Sequence, residues 1–148
     1  KMCQGLVKND LQKNNQNLTA GEQQFIQYGQ GGVRQVAQEG YPIIEKIALP
    51  FLKNRQGTTN QRLLDTLMKI ATVIEDSNLI KRAGNIEVIN WLHQSAEKYL
   101  RLGGAETKTG LAYLDKLNKV FKENNYSLGG CADLLIVTIF MALEKGYL

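Results

Sequence analysis

Cysteine is scarce here: Cys3 and Cys131 are the only two in 148 residues. Two thiols give no disulfide framework, and no CxxC or Cys/His cluster points to zinc. Histidine and tryptophan occur once each, at His93 and Trp91. His93 falls mid-helix among polar residues and reads as a surface residue rather than a general base. Trp91 reads as a packing or surface aromatic with no partner to suggest stacking. No run of five basic residues exists, and aromatics are not interleaved with Lys and Arg, so nucleic acid is not an expected partner. No apolar run is long enough for a bilayer and no signal-peptide pattern is present. No membrane partner is expected, and the cytoplasm is the expected location. No segment sustains a period of two, which argues against strands. No internal repeat appears, which disfavours a solenoid.

What is present is a globular composition, 43% hydrophobic and 22% charged, enough for one helical domain over residues 1–148. The net charge of +4 favours phosphate-bearing partners over cationic ones. Apolar spacings of three and four recur throughout, so the expected class is all-α, a bundle of about six to eight helices. Its expected centre is the last helix, whose Leu134–Leu143 run is apolar nearly all round. The chain opens on Lys1 inside a pattern that already reads as helix (Met2, Leu6, Val7, Leu11), which implies missing sequence at that end.

Helix boundaries are readable along the chain. Thr19 with Glu22 forms one capping box and Thr58 with Gln61 a second. Pro42 starts a helix to about Asn54, which Pro50 should kink. The stripe Leu63, Leu64, Leu67, Ile70, Ala71 and Ile74 is the clearest amphipathic face. Asn85 caps the next helix, Gly103-Gly104 ends it, and residues 109–123 form another that stops at Asn124-Asn125.

Three polar islands lie at helix ends. The first is Tyr28 to Arg34, with Gly29, Gly31 and Gly32. The second is Asp76-Ser77-Asn78 with Arg82. The third is Ser127 to Asp133, with Gly129 and Gly130. Each alone reads as ordinary capping. Together they offer two arginines, two carboxylates and several free backbone N–H groups, the ingredients of a nucleotide–Mg²⁺ site. Cys131 beside Gly130 reads as a small packing residue, since no neighbouring base is evident.

At these islands the sequence resembles the triphosphoribosyl-dephospho-CoA synthase family (the CitG/MdcB type). Leu18-Thr19-Ala20-Gly21-Glu22 is similar to the family's TAGE opening, and Tyr28 to Pro42 to its YGxxGxRGEAxxGFP. Ala48-Leu49-Pro50 is similar to its ALP, Asp76 to Gly84 to DTNxxxRGG, and Ser127 to Leu135 to SPGGSADLLA. The departures are Gln35-Val36 for Gly-Glu, Ala83 for glycine, Leu128 for proline and Cys131 for serine. Family members are roughly twice this long, so the resemblance is to the C-terminal half of a larger enzyme.

The resemblance implies a transferase that joins the ribose C1′ of ATP to 3′-dephospho-CoA with release of adenine. The product is the prosthetic-group precursor of a citrate or malonate lyase-type acyl carrier protein. It implies ATP and 3′-dephospho-CoA as substrates and Mg²⁺ as cofactor. It assigns Arg34 and Arg82 to phosphates, Asp76 and Asp133 to catalysis as metal or ribosyl-cation partners, and Asn78, Ser127, Gly129 and Gly130 to supporting ATP contacts. The missing N-terminal half is the implied protein partner, the isolated half is expected to be inactive, and a homodimer is an open option. Two other classes remain: a non-catalytic helical nucleotide-binding or interaction module, and a purely structural bundle in which every glycine is a cap.

Overall fold

The computed structural model describes residues 42–148, and among them all regular structure is helical. The expected helix at residues 2–13, the Thr19/Glu22 capping box and the island around Arg34 lie outside the described residues. A π-turn at Ile44–Ala48 runs without a break into α1, Leu49–Asn54. Then come α2 (Thr59–Ala71), α3 (Ser77–Ala83), α4 (Val88–Arg101), a 3-10 turn at Gly104–Glu106, α5 (Lys108–Glu123) and α6 (Gly129–Lys145).

The kink expected at Pro50 takes the form of that π-turn. Proline has no N–H, and its ring crowds the carbonyl four residues back. The backbone answers by widening: the Leu49 N–H bonds Ile44 O, five residues earlier. The Thr58/Gln61 capping box closes as expected, with each side chain accepting from the other's backbone N–H. Asn85 accepts from Val88 N–H at 3.1 Å, confirming its capping role. α2 stops three residues short of the end of the apolar stripe: it ends at Ala71, and Ile74 is buried from the following turn.

α2 packs against α1, α4, α6 and the 3-10 turn, and the core gathers around it through Met68, Ile70 and Ala71. α6 reaches α1, α2 and α3 with one face, led by Cys131, Leu134, Thr138 and Ala142. Its other face is open: Ile136, Phe140 and Leu143 are 64%, 63% and 59% exposed. The composition of α6 suggested burial all round, so the measured exposure is a departure. Apolar composition reports that a helix can be buried, not on how many sides.

Asp65, on α2, is wholly buried and was not singled out in the sequence. Its Oδ1 accepts from the Tyr99 hydroxyl at 2.7 Å and Ala105 N–H at 2.9 Å, and its Oδ2 from Arg55 Nε at 2.7 Å. Arg55 also donates to Gly103 O at 3.3 Å. One charge thus ties the end of α1, the middle of α2, α4 and the turn that follows α4. Burial, with the Asp65 carboxylate beside it, pushes the Tyr99 phenol well above its usual range. α5 then crosses that turn so closely that a Cβ on Gly110 would lie 1.9 Å from Gly104 O.

Two outcomes are expected. Gly110→Ala destabilises the chain by about 2–4 kcal/mol in thermal unfolding, because the contact is with backbone that cannot give way. For Tyr99, the unfolded phenol titrates near pH ~10 and the folded one higher. The folded state therefore holds the proton longer, and the Tyr99 contribution is full below about pH 10 and is lost as pH rises beyond it. Urea unfolding from pH 8 to 11 should show a steeper alkaline loss in the parent than in Tyr99→Phe. Equal slopes would sink the assignment.

Candidate functional site

The second and third islands meet. Asp76 precedes α3 and is fully buried. Its Oδ1 accepts from Asn78 N–H at 3.0 Å and Leu79 N–H at 3.2 Å, which is helix capping as the sequence suggests. Its Oδ2 accepts from Cys131 N–H at 2.9 Å, in the first turn of α6. One carboxylate therefore joins two helix starts, where free N–H groups and positive dipole ends favour a negative charge.

The glycines make room for this. A Cβ on Gly130 would lie 3.1–3.3 Å from the Asp76 carboxylate, and one on Gly129 would lie 2.6 Å from Asn78 Nδ2. α6 has no side-chain cap of its own, because Leu128 occupies that position. With Cys131 N–H taken by Asp76, the N–H groups of Gly129 and Gly130 have no partner among the described residues. Burial, with Asp76 adjoining, holds the Cys131 thiol well above its usual range. It is protonated and enclosed, a packing residue as expected.

The other candidate residues that the structure describes lie on the segments that meet here. Arg82, exposed near the end of α3, donates from Nη1 to Asn125 O at 3.2 Å. Asn125 holds a positive φ of 55°, which ends α5 and turns the chain toward α6. Ser127 is half-buried in that connection, and Asn78 is exposed. Asp133 is exposed in the second turn of α6 and is the carboxylate open to solvent. Asp76 is not open: with three backbone donors and no exposed surface, it positions the junction and presents no free oxygen to a metal. Arg34 lies outside the described residues.

Among the described residues no group of three or more His, Cys, Asp and Glu side chains could hold a metal ion. An all-protein cage is thus absent there, but Mg²⁺ does not need one. It is commonly held by one or two carboxylates together with substrate phosphates and water. Asp133 fits that limited part.

Two readings change with the packing. His93 is half-buried, and its Nε2–H donates to Ile74 O at 2.9 Å, so it caps the turn after α2. Trp91 does have aromatic partners, Phe121 at 5.8 Å and Tyr126 at 6.0 Å between ring centroids. Phe121 and Tyr126 meet edge to face at 5.8 Å. No local pattern marks these three residues as neighbours, because they come from α4, α5 and the loop beyond α5.

Residues 1–148 match the family described as CitG, ATP:dephospho-CoA triphosphoribosyl transferase. A relative named "Probable 2-(5''-triphosphoribosyl)-3'-dephosphocoenzyme-A synthase", from Lactiplantibacillus plantarum, is 48% identical over 99% of this chain and 54% of its own length. "Protein CitXG" of Leuconostoc mesenteroides subsp. cremoris is 51% identical over 99% of this chain and 32% of its own. A relative from Citrobacter koseri with the same name as the first is 39% identical over 95% of this chain and 47% of its own. The chain thus spans between about a third and about half of the relatives it matches. No solved structure matches it, and no helix among the described residues is long and apolar enough to cross a membrane.

Replacing Asp76 by Asn tests the junction. An amide keeps one acceptor oxygen for the Asn78 and Leu79 N–H groups but turns its NH2 donors toward the Cys131 N–H, so the bond between the two helices is lost. Asp76→Asn should lower unfolding free energy by about 2–4 kcal/mol in urea. A variant as stable as the parent would show that the carboxylate does not hold the helices together.

Proposed function

The chain belongs to the ATP:dephospho-CoA triphosphoribosyl transferase family, and on that premise we propose that it forms one portion of an enzyme joining the triphosphoribosyl group of ATP to 3′-dephospho-CoA with release of adenine. The product would serve as the prosthetic-group precursor of a citrate or malonate lyase-type acyl carrier protein. The observation that carries the site is the convergence of the α3 and α6 starts on Asp76. It leaves the Gly129 and Gly130 N–H groups, the Arg82 guanidinium, the Asn78 amide, the Ser127 hydroxyl and the Asp133 carboxylate at one junction.

The proposed chemistry divides between substrate binding and charge. Arg82 and the Gly129 and Gly130 N–H groups bind triphosphate oxygens, and Asn78 and Ser127 add hydrogen bonds. Arg34 joins them from the first island. Asp133 faces the positive charge that grows on ribose C1′ as the bond to adenine breaks, and it is the residue that would hold Mg²⁺ together with the triphosphate. Bound Mg²⁺ would neutralise part of the triphosphate charge. Asp76 acts at one remove, by fixing the two helix starts. The remaining wall of the site belongs to the part of the relatives that this chain does not span. A cytoplasmic location, where ATP is available, belongs to the same proposal.

The length supports one alternative for the chain in isolation. With about half of the relatives' span, it binds nucleotide without turning it over. A chimera separates the two cases: this chain replaces the matching stretch of the Lactiplantibacillus plantarum relative, and adenine release is followed with ATP, Mg²⁺ and dephospho-CoA. Release is expected from the chimera and not from the isolated chain. Asp133→Asn in the chimera should lower kcat by about 100-fold or more, the usual loss when a group facing developing charge is removed. Unchanged kcat would remove Asp133 from the reaction, and an inactive chimera would overturn the proposal.

A further inference from the structure

A cavity of about 640 Å³ lies between α2, α4, α5 and the loop leading to α6. No residue of the α3 start lines it, but Ser127 and Leu128 do, one and two positions before Gly129. Its floor is core: Met68, Leu92 and Leu117 are all buried. Two aromatic rings, Phe121 and Tyr126, form part of its wall. Exposed Asp115, Asn118 and Lys122 stand at its rim on α5. The volume falls within the roughly 300–1,000 Å³ range of small-molecule sites, which pair apolar walls with a few placed polar groups.

One of those polar groups is unexplained by the fold. Ser95 on α4 is 6% exposed and lines this cavity. The other two buried serine or threonine hydroxyls among the described residues each bond a carbonyl, Thr66 to Arg62 O at 2.7 Å and Thr138 to Leu134 O at 2.7 Å. The Ser95 hydroxyl has no hydrogen-bond partner among the described residues. Among the described residues Arg62 Nε is the one fully enclosed side-chain polar atom without a partner, so the Ser95 oxygen opens into the cavity, where a ligand or water can meet it.

We infer that this cavity receives the adenine ring of a substrate nucleotide. The inference rests on the proposed reaction, since ATP and dephospho-CoA share that ring. The aromatic wall and the aliphatic floor take the purine faces, a contact worth about 1–3 kcal/mol per stacked base. The Ser95 hydroxyl meets a polar edge of the ring. Asn118 and Lys122 at the mouth face the ribose and phosphate, and Ser127 leads from the mouth to the N–H groups of α6. Base recognition and phosphate recognition are then held by adjacent segments, the cavity wall at Tyr126 and the glycines at 129 and 130.

Trp91 provides the readout. It is the single tryptophan, and its ring centroid lies 5.8 and 6.0 Å from the two aromatic rings of the wall. Its emission in the purified chain is titrated, without metal, with adenosine, ATP, dephospho-CoA and inorganic triphosphate. The three adenine compounds should change the emission saturably, and triphosphate should not. Ser95→Leu, which fills the cavity from its buried side, should weaken adenosine binding at least tenfold while thermal unfolding stays at or above the parent value. Asn118→Phe changes an exposed rim residue and should weaken it in the same direction without touching the core. The inference is overturned if adenosine is silent, if triphosphate reproduces the signal, or if both folded variants titrate like the parent.

The chimera keeps this outcome apart from that of the reaction. Adenine release undiminished by Ser95→Leu sinks the cavity and leaves the reaction standing. Adenosine binding by the chain with no release from the chimera does the reverse. A KM rise confined to ATP, or confined to dephospho-CoA, supports the inference and says whose adenine is held.

Discussion

A charge with no exposed surface must be compensated locally, and Asp76 is compensated by three backbone N–H groups from two helices. The rest of the junction depends on that constraint. α3 and α6 have to bring their starts to one point, because both dipoles and all three donors are needed there. Gly130 lets the carboxylate sit close, since a Cβ there would lie 3.1–3.3 Å from it, and Gly129 faces the Asn78 side chain. The carboxylate leaves two N–H groups of α6 unpaired. The residue that organises the junction is thereby enclosed, and Asp133 is the carboxylate there that meets solvent.

A second buried carboxylate plays the same part elsewhere. Asp65 joins Arg55, Tyr99 and Ala105, and it anchors the turn that α5 crosses at Gly110. The two carboxylates hold different sets of elements. Asp65 fixes α4 and the turn that leads into α5, two helices that together line much of the cavity, while Asp76 fixes the helix starts near its mouth. Between them the packing is apolar and centred on α2. Directional bonds thus set the positions of the walls, and hydrophobic burial supplies the cohesion between them.

Much of the secondary structure could be read locally. The Thr58/Gln61 box, the Asn85 cap and the stops at Gly103 and Asn125 depend on residues within a few positions of one another, and all are found where the residues suggest. The π-turn before Pro50, the Thr107 cap and the 3-10 turn were missed, because each answers a local conflict that apolar periodicity does not record. At the candidate site the sequence shows which polar residues are present but not which of them meet. The resemblance presents Asp76 as a metal or catalytic carboxylate, and its contact with Cys131, 55 positions away, shows it as the tie between helices. Asp65 and Ser95 carried no local signal: one polar residue inside an apolar stripe looks like any solvent-facing position until the opposite helix is in place. The family was legible from ordered motifs, and the comparison with known relatives agrees with it.

α6 carries a further consequence. A helix that is apolar on nearly every side has little hydrophobic reason to prefer one rotation about its axis over another. Its rotational identity has to come from its ends. Asp76 takes the Cys131 N–H at the start, and Arg62 donates to Tyr147 O at 2.7 Å just past the finish while also holding Leu52 O at 2.8 Å. Those two polar latches decide which apolar residues turn inward and which form the outer stripe of Ile136, Phe140 and Leu143. In this helix hydrophobicity supplies adhesion without direction, and a few hydrogen bonds at the termini supply the direction.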